Sequence, residues 1–262
     1  MPPDSTLPPR LYGLVGKALG HSLSPQFFNE KFLRLGLPHR YQAFELPTVE
    51  GVADLIGRHP DLCGFNVTVP YKQAIVPLLT EVVGPAARAT GAVNCVAVAS
   101  GRLLGYNTDV AGVWASLEQL LPTGFRGPAL VLGTGGAAQA VGYALAQWAR
   151  GPIPFRYVSR SPGPGVLAYT DLTPDLVAET PLLVQTTPLG MYPAVEGLPK
   201  LPYAALGPGH FLLDLVYNPR ETRFLAQGRA QGAQVLGGLP MLYAQAEASW
   251  AIWNGTAPPT AG

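Results

Sequence analysis

Charge and cysteine are both scarce in this sequence. Only 13% of its 262 residues are Asp, Glu, Lys or Arg, with 17 basic against 16 acidic side chains and a net charge of +1. No basic block occurs. Nucleic-acid recognition needs a concentrated positive patch to displace counterions, so the expectation is no nucleic-acid partner and a small, locally bound ligand instead. The two cysteines, Cys63 and Cys95, form no CxxC and no Cys/His cluster. That spacing argues against a metal site and leaves two free buried thiols in a reducing compartment. No run approaches the ~18 apolar residues of a membrane span. The start, Met1-Pro2-Pro3-Asp4-Ser5, lacks the charged beginning and apolar core of a signal peptide. The expectation is a soluble, cytoplasmic protein with no membrane partner.

Apolar residues are plentiful, at 48%, enough for a substantial core in one large domain or two modest ones. The 31 glycines and 28 prolines are spread without a period. They fit many tight turns between short elements rather than a low-complexity chain.

The first half reads as strand 11–16, a helix from Ser24-Pro25 to about Leu35 with Ser24 as its cap, strand 40–46, and a helix capped by Thr48 to about Arg58. Strand 63–69, a helix over about 72–79, and strands 92–98 and 103–106 around the turn Ser100-Gly101 follow. From 128 the pattern becomes strand, glycine turn, helix about 137–148, then strands 155–159, 181–185 and 210–216, helix 220–231, and VLGG at 235–238. Alternating strands and helices predict a parallel, doubly wound sheet in this half. Apolar residues at Leu239, Leu242, Tyr243, Ala246, Trp250 and Trp253 predict a closing helix, and the tail from Asn254 reads as frayed.

Gly133-Thr134-Gly135-Gly136-Ala137-Ala138 fits G-x-G-x-x-A between an apolar strand and an apolar helix. The first glycine permits the tight turn, the second lets the backbone approach a pyrophosphate, and the small last residue permits close helix packing. The helix start then offers unpaired N–H groups to the phosphate. The plain alternative is a glycine-rich packing turn. The next strand ends Val158-Ser159-Arg160-Ser161. An NAD enzyme usually has an acid at this end for the ribose 2′-hydroxyl; an arginine between two serines suits a 2′-phosphate and favours NADP.

Three polar segments mark the first half: Gly20-His21-Ser22-Leu23-Ser24-Pro25, Gly64 through Lys72 (GFNVTVPYK), and Gly105-Tyr106-Asn107-Thr108-Asp109. Asn66 and Thr68 alternate with apolar residues on a strand and so point the same way. Lys72 lies beyond that strand's C-terminal end, where α/β proteins place ligands, and Asp109 follows another strand. Singly, each has an ordinary explanation: a capping serine, a turn asparagine, a solvated lysine.

Together these segments resemble the shikimate dehydrogenase family, in order and over nearly the whole chain. Gly91-Ala92-Val93-Asn94 looks like its G-A-V-N, and Gly133–Ala138 matches its nucleotide turn. Thr187-Pro188-Leu189-Gly190-Met191 looks like its T-P-x-G-M loop, and Asp214 through Pro219 with Thr222 matches D-x-V-Y-x-P. Gly238 through Gln245 is similar to the start of its closing helix. The resemblance implies an α/β substrate domain (1–108 with 239–262), a Rossmann-type NADP domain (109–238), and a cleft between them that closes on both ligands. It implies that Ser22 and Ser24 hold a substrate carboxylate, that Asn66, Thr68, Asn94 and Gln245 bond ring hydroxyls, and that Tyr217 closes the site beside the nicotinamide. Lys72 and Asp109 would be the catalytic pair. Gly133, Gly135, Gly136, Ala137, Ser159, Arg160, Ser161, Thr187, Met191 and Gly238 would bind the cofactor, with no metal. The implied reaction is reversible, NADP-dependent reduction of 3-dehydroshikimate to shikimate by a monomer or homodimer. Either the lysine alone or the pair serves as the acid–base group.

The chain departs from the family pattern at several points. Gly16-Lys17-Ala18 lacks the usual proline, Phe28 stands for a common histidine, and Cys95 stands for a frequent threonine, replacing a hydroxyl with a weak thiol donor. Pro162-Gly163-Pro164 replaces a run toward a second arginine, and Gln185-Thr186-Thr187 replaces N-A-T. A relative acting on quinate or using NAD is one alternative. A non-catalytic, ligand-sensing relative is another, although both Lys72 and Asp109 are retained.

Overall fold

The computed structural model describes residues 8–256, so the N-terminal residues read above for a leader and residues 257–262 of the tail lie outside the described residues. The chain divides into two compact units. One comprises the chain up to Thr108 together with the segment from Ala246; the other runs from Asp109 to Gln245.

In the first unit the order is β1 (Leu11–Gly16), α1 (Ser24–Arg34), β2 (Arg40–Glu45), α2 (Gly51–Arg58), β3 (Leu62–Val67), α3 (Tyr71–Ala74), β4 (Glu81–Val82), α4 (Pro85–Thr90), β5 (Cys95–Ala99) and β6 (Arg102–Tyr106). The sheet order is β2-β1-β3-β5-β6-β4. β1 is parallel to β2 and β3, β5 is antiparallel to β3 and β6, and β4 is parallel to β6. All six residues of β1 are buried, as a strand covered on both faces requires. Its alternation divides the core: Leu11 and Val15 join Val52, Leu55, Phe65 and Ile75, while Tyr12 and Leu14 join Phe28, Phe32, Tyr41 and Trp253. Ser100 and Gly101, both at positive φ (50° and 75°), make the two-residue turn from β5 to β6.

The second unit has α5 (Asp109–Leu120), β7 (Ala129–Leu132), α6 (Gly136–Ala146), β8 (Phe155–Ser159), β9 (Val166–Ala168), α7 (Pro174–Ala178), β10 (Leu182–Gln185), β11 (Phe211–Asp214), α8 (Arg223–Ala230) and β12 (Gln234–Leu236). α9 (Leu239–Trp253) begins here and ends in the first unit. The sheet order is β12-β11-β10-β7-β8-β9, with every pair parallel. The expected α/β class and doubly wound sheet are therefore found. β7, β10 and β11 are buried throughout, reading as continuous apolar runs because both faces are covered.

α9 is anchored to the first sheet by its indole. Trp253 Nε1 donates to the Val96 carbonyl at 3.0 Å. It passes over Gly64, where any Cβ would strike the indole. Lys31 on α1, only 9% exposed, donates to both carboxylate oxygens of Glu247 on α9 at 2.6 and 2.8 Å.

Several local expectations are corrected. Ser24 is not the cap of α1 but its first residue; Leu23 occupies the cap without a side-chain bond, and Ser22 Oγ accepts the Ser24 N–H at 3.3 Å. α2 starts at Gly51 rather than after Thr48; Thr48 bonds the Glu50 carboxyl and draws its pKa below the usual value. The helix expected over 72–79 is two short pieces, because Pro77 cannot extend α3. The ladder of β5 begins at Cys95, and α8 begins after its cap, Thr222. α5, α4, α7, β4 and β9 were not anticipated. α5 does carry helical spacing in Val110, Val113, Leu117 and Leu120, all buried, but Gly112 in its first turns lowers the propensity. That glycine is needed because a Cβ there would meet the Met241 carbonyl oxygen at 2.7 Å. Cys63 and Cys95 are free, Cys63 only half-buried.

Asp214 ends β11 wholly buried. Its carboxyl accepts from Val216 N–H at 2.9 Å and Thr222 Oγ1 at 2.6 Å, joining the strand to the cap of α8. Burial pushes its pKa up to about 7, against the opposing pull of these two bonds. A carboxyl held above its unfolded value of 3.8 stabilises the fold fully below about pH 4, and that contribution is lost as pH climbs through about 7. The expected outcome is that the melting temperature of wild type, relative to Asp214→Asn, falls across this window in pH-dependent melts. A difference constant from pH 4 to 8 would show that Asp214 carries no such linkage.

Candidate active site

In the first unit, β1, β3 and β6 run in one direction and β5 in the other. The C-terminal ends of three strands and the start of a fourth therefore share one sheet edge. Ser22 and Ser24 follow β1; Thr68 and Lys72 follow β3; Thr108 and Asp109 follow β6; Asn94 immediately precedes β5. The loop after β1 is held by Glu45 at the end of β2, whose Oε1 accepts the Leu19 N–H at 2.7 Å. Gly16 shares the face of Tyr12 and Leu14, and the Cβ it lacks would meet Thr68 Cγ2 at 2.6 Å. Thr68 thus lies on the same face as Asn66. Ser24, Asn66, Asn94 and Asp109 are buried, whereas Ser22, Thr68 and Lys72 are half-buried. The Lys72 carbonyl accepts from Val93 N–H at 2.7 Å, so the G-A-V-N segment is stitched to the turn that carries the lysine. Asp109 opens α5, where the helix dipole favours a carboxylate.

A buried polar network joins these strand ends. Asn66 Oδ1 accepts from Tyr41 Oη–H at 2.9 Å, and its Nδ2 donates to the Asn94 carbonyl at 3.1 Å and to Ser249 Oγ at 2.8 Å. Both amide hydrogens of Asn66 are therefore committed within the protein. Asn94 Oδ1 accepts the Thr108 N–H at 2.6 Å, and its Nδ2 donates to Thr108 Oγ1 at 3.0 Å. Thr108 Oγ1 also lies 3.2 Å from Ser249 Oγ. Burial pushes the Cys95 thiol up to about 12 despite a bond with Ser249, so it is an inert, protonated group. Tyr41, Thr108 and Ser249 were missed from the sequence. Thr108 sits beside Asp109 in a segment already noticed. Ser249 is a hydroxyl on the apolar stripe of α9, four residues after Gln245, and that break in the stripe was its only signal.

In the second unit the strand order reverses between β7 and β10, creating the crevice in which α/β sheets bind ligands. Gly133 leaves β7 at φ +123°, and a side chain there would strike Thr186 Oγ1, which donates to the Leu132 carbonyl at 2.7 Å. Gly135 is the cap of α6 with no atom within 4 Å of its would-be Cβ. Gly136 and Ala137 open the helix, where N–H groups lack helical acceptors, and Ala138 is fully buried. Ser159, Arg160 and Ser161 lie at the end of neighbouring β8. Ser159 Oγ accepts the Ser161 N–H at 3.2 Å, and Arg160 is exposed. Burial raises the Tyr169 phenol, and the Arg160 charge pulls it back down.

Beyond β10, Thr187 bonds Gln185 Oε1 through its N–H at 3.1 Å and its hydroxyl at 3.0 Å. Met191 is 45% exposed. Tyr217 is half-buried after β11. Gly238 donates its N–H to the Val216 carbonyl at 3.0 Å and has no room for a Cβ beside Leu215. Gln245 is buried on α9, with Nε2 donating to the Leu242 carbonyl at 2.9 Å. Among the described residues no three His, Cys, Asp or Glu side chains are grouped to hold a metal ion.

Residues 14–96 match the family model described as the shikimate dehydrogenase substrate binding domain. A protein named shikimate dehydrogenase (NADP(+)) from Moorella thermoacetica is 39% identical, the match spanning 96% of this chain and 90% of that protein. The structure of shikimate 5-dehydrogenase from Thermus thermophilus in complex with NADP(H) and shikimate is similar with a TM-score of 0.83 and 33% identity, covering 95% of each chain. Quinate dehydrogenase from Corynebacterium glutamicum in complex with NAD is similar with a TM-score of 0.82 and 29% identity, again over 95% of each chain.

The two glycines of the turn should separate in a mutational test. Gly133→Ala combines a disfavoured φ with a clash and should lower the melting temperature by roughly 5 °C or more. Gly135→Ala, at φ −75° in open space, should melt like wild type. Equal melting of the two would contradict the packing described here.

Proposed function

The chain belongs to the shikimate dehydrogenase family, and we propose that it catalyses the reversible reduction of 3-dehydroshikimate to shikimate with NADPH, in the cytoplasm, the first unit taking the substrate and the second the nucleotide. The observation that carries this reading is the convergence of Ser22, Ser24, Thr68, Lys72, Asn94 and Thr108-Asp109 on one sheet edge, in a chain whose other sheet presents a glycine turn at its switch point.

The residues of the second unit fit the dinucleotide. The space over Gly135 admits a pyrophosphate against the backbone, and the first N–H groups of α6 supply donors. The end of β8 offers an exposed guanidinium between two serines and no carboxylate, which suits a 2′-phosphate. When bound, the cofactor supplies the hydride that the carbonyl carbon accepts. Thr187, Met191 and Gly238 line the nicotinamide side in this reading. Because the Gly238 N–H is taken by Val216, this residue can offer only its carbonyl.

Toward the substrate, Ser22 and Ser24 donate hydroxyl bonds to its carboxylate. Thr68, Asn94 and Gln245 bond the ring hydroxyls, and Tyr217 covers the site. Asn66 enters this scheme with both amide hydrogens already engaged, so it contributes an oxygen or acts through its neighbours. Lys72 stabilises the developing alkoxide and delivers a proton to it, while Asp109 orients the ammonium group and holds an adjacent hydroxyl. In the oxidative direction the same lysine, acting with Asp109, receives the hydroxyl proton.

The test is absorbance of the reduced nicotinamide with shikimate or quinate, each with NADP or NAD. Turnover confined to shikimate and NADP supports the proposal. Comparable rates with quinate and NAD would move the chain toward the branch represented by the Corynebacterium enzyme. Silence in all four mixtures overturns the catalytic assignment. Lys72→Ala should lower kcat about 10²- to 10⁴-fold with a much smaller change in KM. Survival of turnover within a few-fold would remove Lys72 from the chemistry. Arg160→Ala should raise KM for NADP about 10-fold, as expected for loss of a charge-assisted bond, and leave NAD unaffected. Equal effects on both cofactors would show that Arg160 does not read the 2′-phosphate.

A further inference from the structure

We propose that Ser249, on the C-terminal helix, is a positioning residue for the substrate site, its buried hydroxyl setting the directions in which Asn66, Thr108 and Asn94 present their polar atoms. The proposal deepens the dehydrogenase reading and rests on it. Ser249 has no exposed surface, and its Oγ is surrounded by groups from three of the strand ends that carry proposed substrate ligands. It accepts from Asn66 Nδ2 at 2.8 Å, lies 3.2 Å from Thr108 Oγ1, and bonds the Cys95 thiol.

The consequence for Asn66 follows from the shape of an amide. Its two ends are nearly the same size, so only its partners decide which way it faces. On the nitrogen side stand the Asn94 carbonyl and Ser249 Oγ; on the oxygen side stands the Tyr41 hydroxyl. Removing the serine hydroxyl leaves one buried amide hydrogen without an acceptor, and the side chain is then held by two bonds instead of three.

The consequence for Thr108 reaches further. Its hydroxyl is shared between Asn94 and Ser249, and its N–H is gripped by Asn94 Oδ1 at 2.6 Å. When the Ser249 contact is lost, the Thr108 hydroxyl loses one of the groups that orient it, and its pairing with the Asn94 amide readjusts. Thr108 is also the residue before Asp109. A single hydroxyl on α9 therefore biases two proposed ring-hydroxyl ligands and the backbone that delivers the carboxylate of the catalytic pair. Packing is not what it supplies, because serine and alanine occupy nearly the same space and the weight of α9 rests on Trp253.

The test is steady-state kinetics of Ser249→Ala and Ser249→Cys with shikimate and NADP, together with thermal melts. Ser249→Ala should raise KM for shikimate about 10-fold, leave KM for NADP within twofold, and lower kcat less than it raises the shikimate KM. Ser249→Cys, with a similar shape and a weak donor, should fall between the two. If Ser249→Ala does not fold, Tyr41→Phe removes the bond on the opposite side of Asn66 and should give the same selective rise. An unchanged shikimate KM in folded Ser249→Ala, or in Tyr41→Phe where only that variant folds, overturns the proposal. So does a parallel rise for both ligands, which a general loosening would produce. Those outcomes leave the dehydrogenase reading intact, whereas a wild-type protein inert toward shikimate with NADP defeats that reading and this inference with it.

Discussion

The hydrogen bond from the Trp253 indole to the Val96 carbonyl is the constraint on which the first unit depends. It exists because Gly64 leaves the face of β3 bare, so that an indole can lie across one strand and reach the next. With Trp253 seated, the end of α9 is fixed against the sheet, and Ser249, one turn earlier, falls within bonding distance of Asn66 and Thr108. The Lys31–Glu247 pair holds the same helix to α1. Breaking a pair in which one partner is so deeply buried would leave an uncompensated charge, so its value lies in fixing geometry more than in net stability. Aromatic packing, a strand glycine and one ion pair together place a polar network, which Tyr41 of the aromatic cluster enters through its hydroxyl.

The second unit solves a different problem with the same economy of side chains. A parallel sheet buried on both faces has no room for polar groups except at strand ends, so its polar groups gather there, on either side of the switch in strand order between β7 and β10. Gly133 closes the turn against Thr186, Gly135 leaves open space above the start of α6, and Asp214 converts the end of β11 into a fixed bend by bonding Val216 and the α8 cap. The carboxyl of Asp214, buried and pushed toward neutrality, serves architecture.

Much of this was legible in the sequence because it rested on short-range signals. The apolar runs of β1, β7, β10 and β11, the glycine turn, the Ser100-Gly101 hairpin and the spacing of α9 each announce themselves within a few residues. What escaped was decided by contacts distant in the chain. α5 was hidden by Gly112, a poor helix former that is present because Met241 packs against it. Ser24 reads as a cap, yet it is the first residue of α1; the cap position falls to Leu23, which makes no side-chain bond, and Ser22 Oγ accepts the Ser24 N–H. Asn66 reads as a free ligand on a strand face, and only the Asn94 carbonyl and the Ser249 hydroxyl brought by α9 reveal that its amide hydrogens are engaged. Tyr41 and Ser249 carry no motif at all; their role arises from positions 25 and 183 residues away from Asn66.

The placement of α9 also orders events in time. The second unit is one continuous stretch, Asp109 to Gln245, and every strand of its sheet is available once that stretch has left the ribosome. The first unit is assembled from both ends of the described chain, and its sheet lacks the indole, the serine and the Glu247 partner until translation has passed Trp253. Although synthesised first, it is the last to be completed, and domains generally fold as units during synthesis. A truncated product would carry a finished nucleotide fold beside a sheet with its aromatic face uncovered. Asn66, Asn94 and Thr108 at the edge of the first sheet reach their final arrangement only when the whole helix has been made.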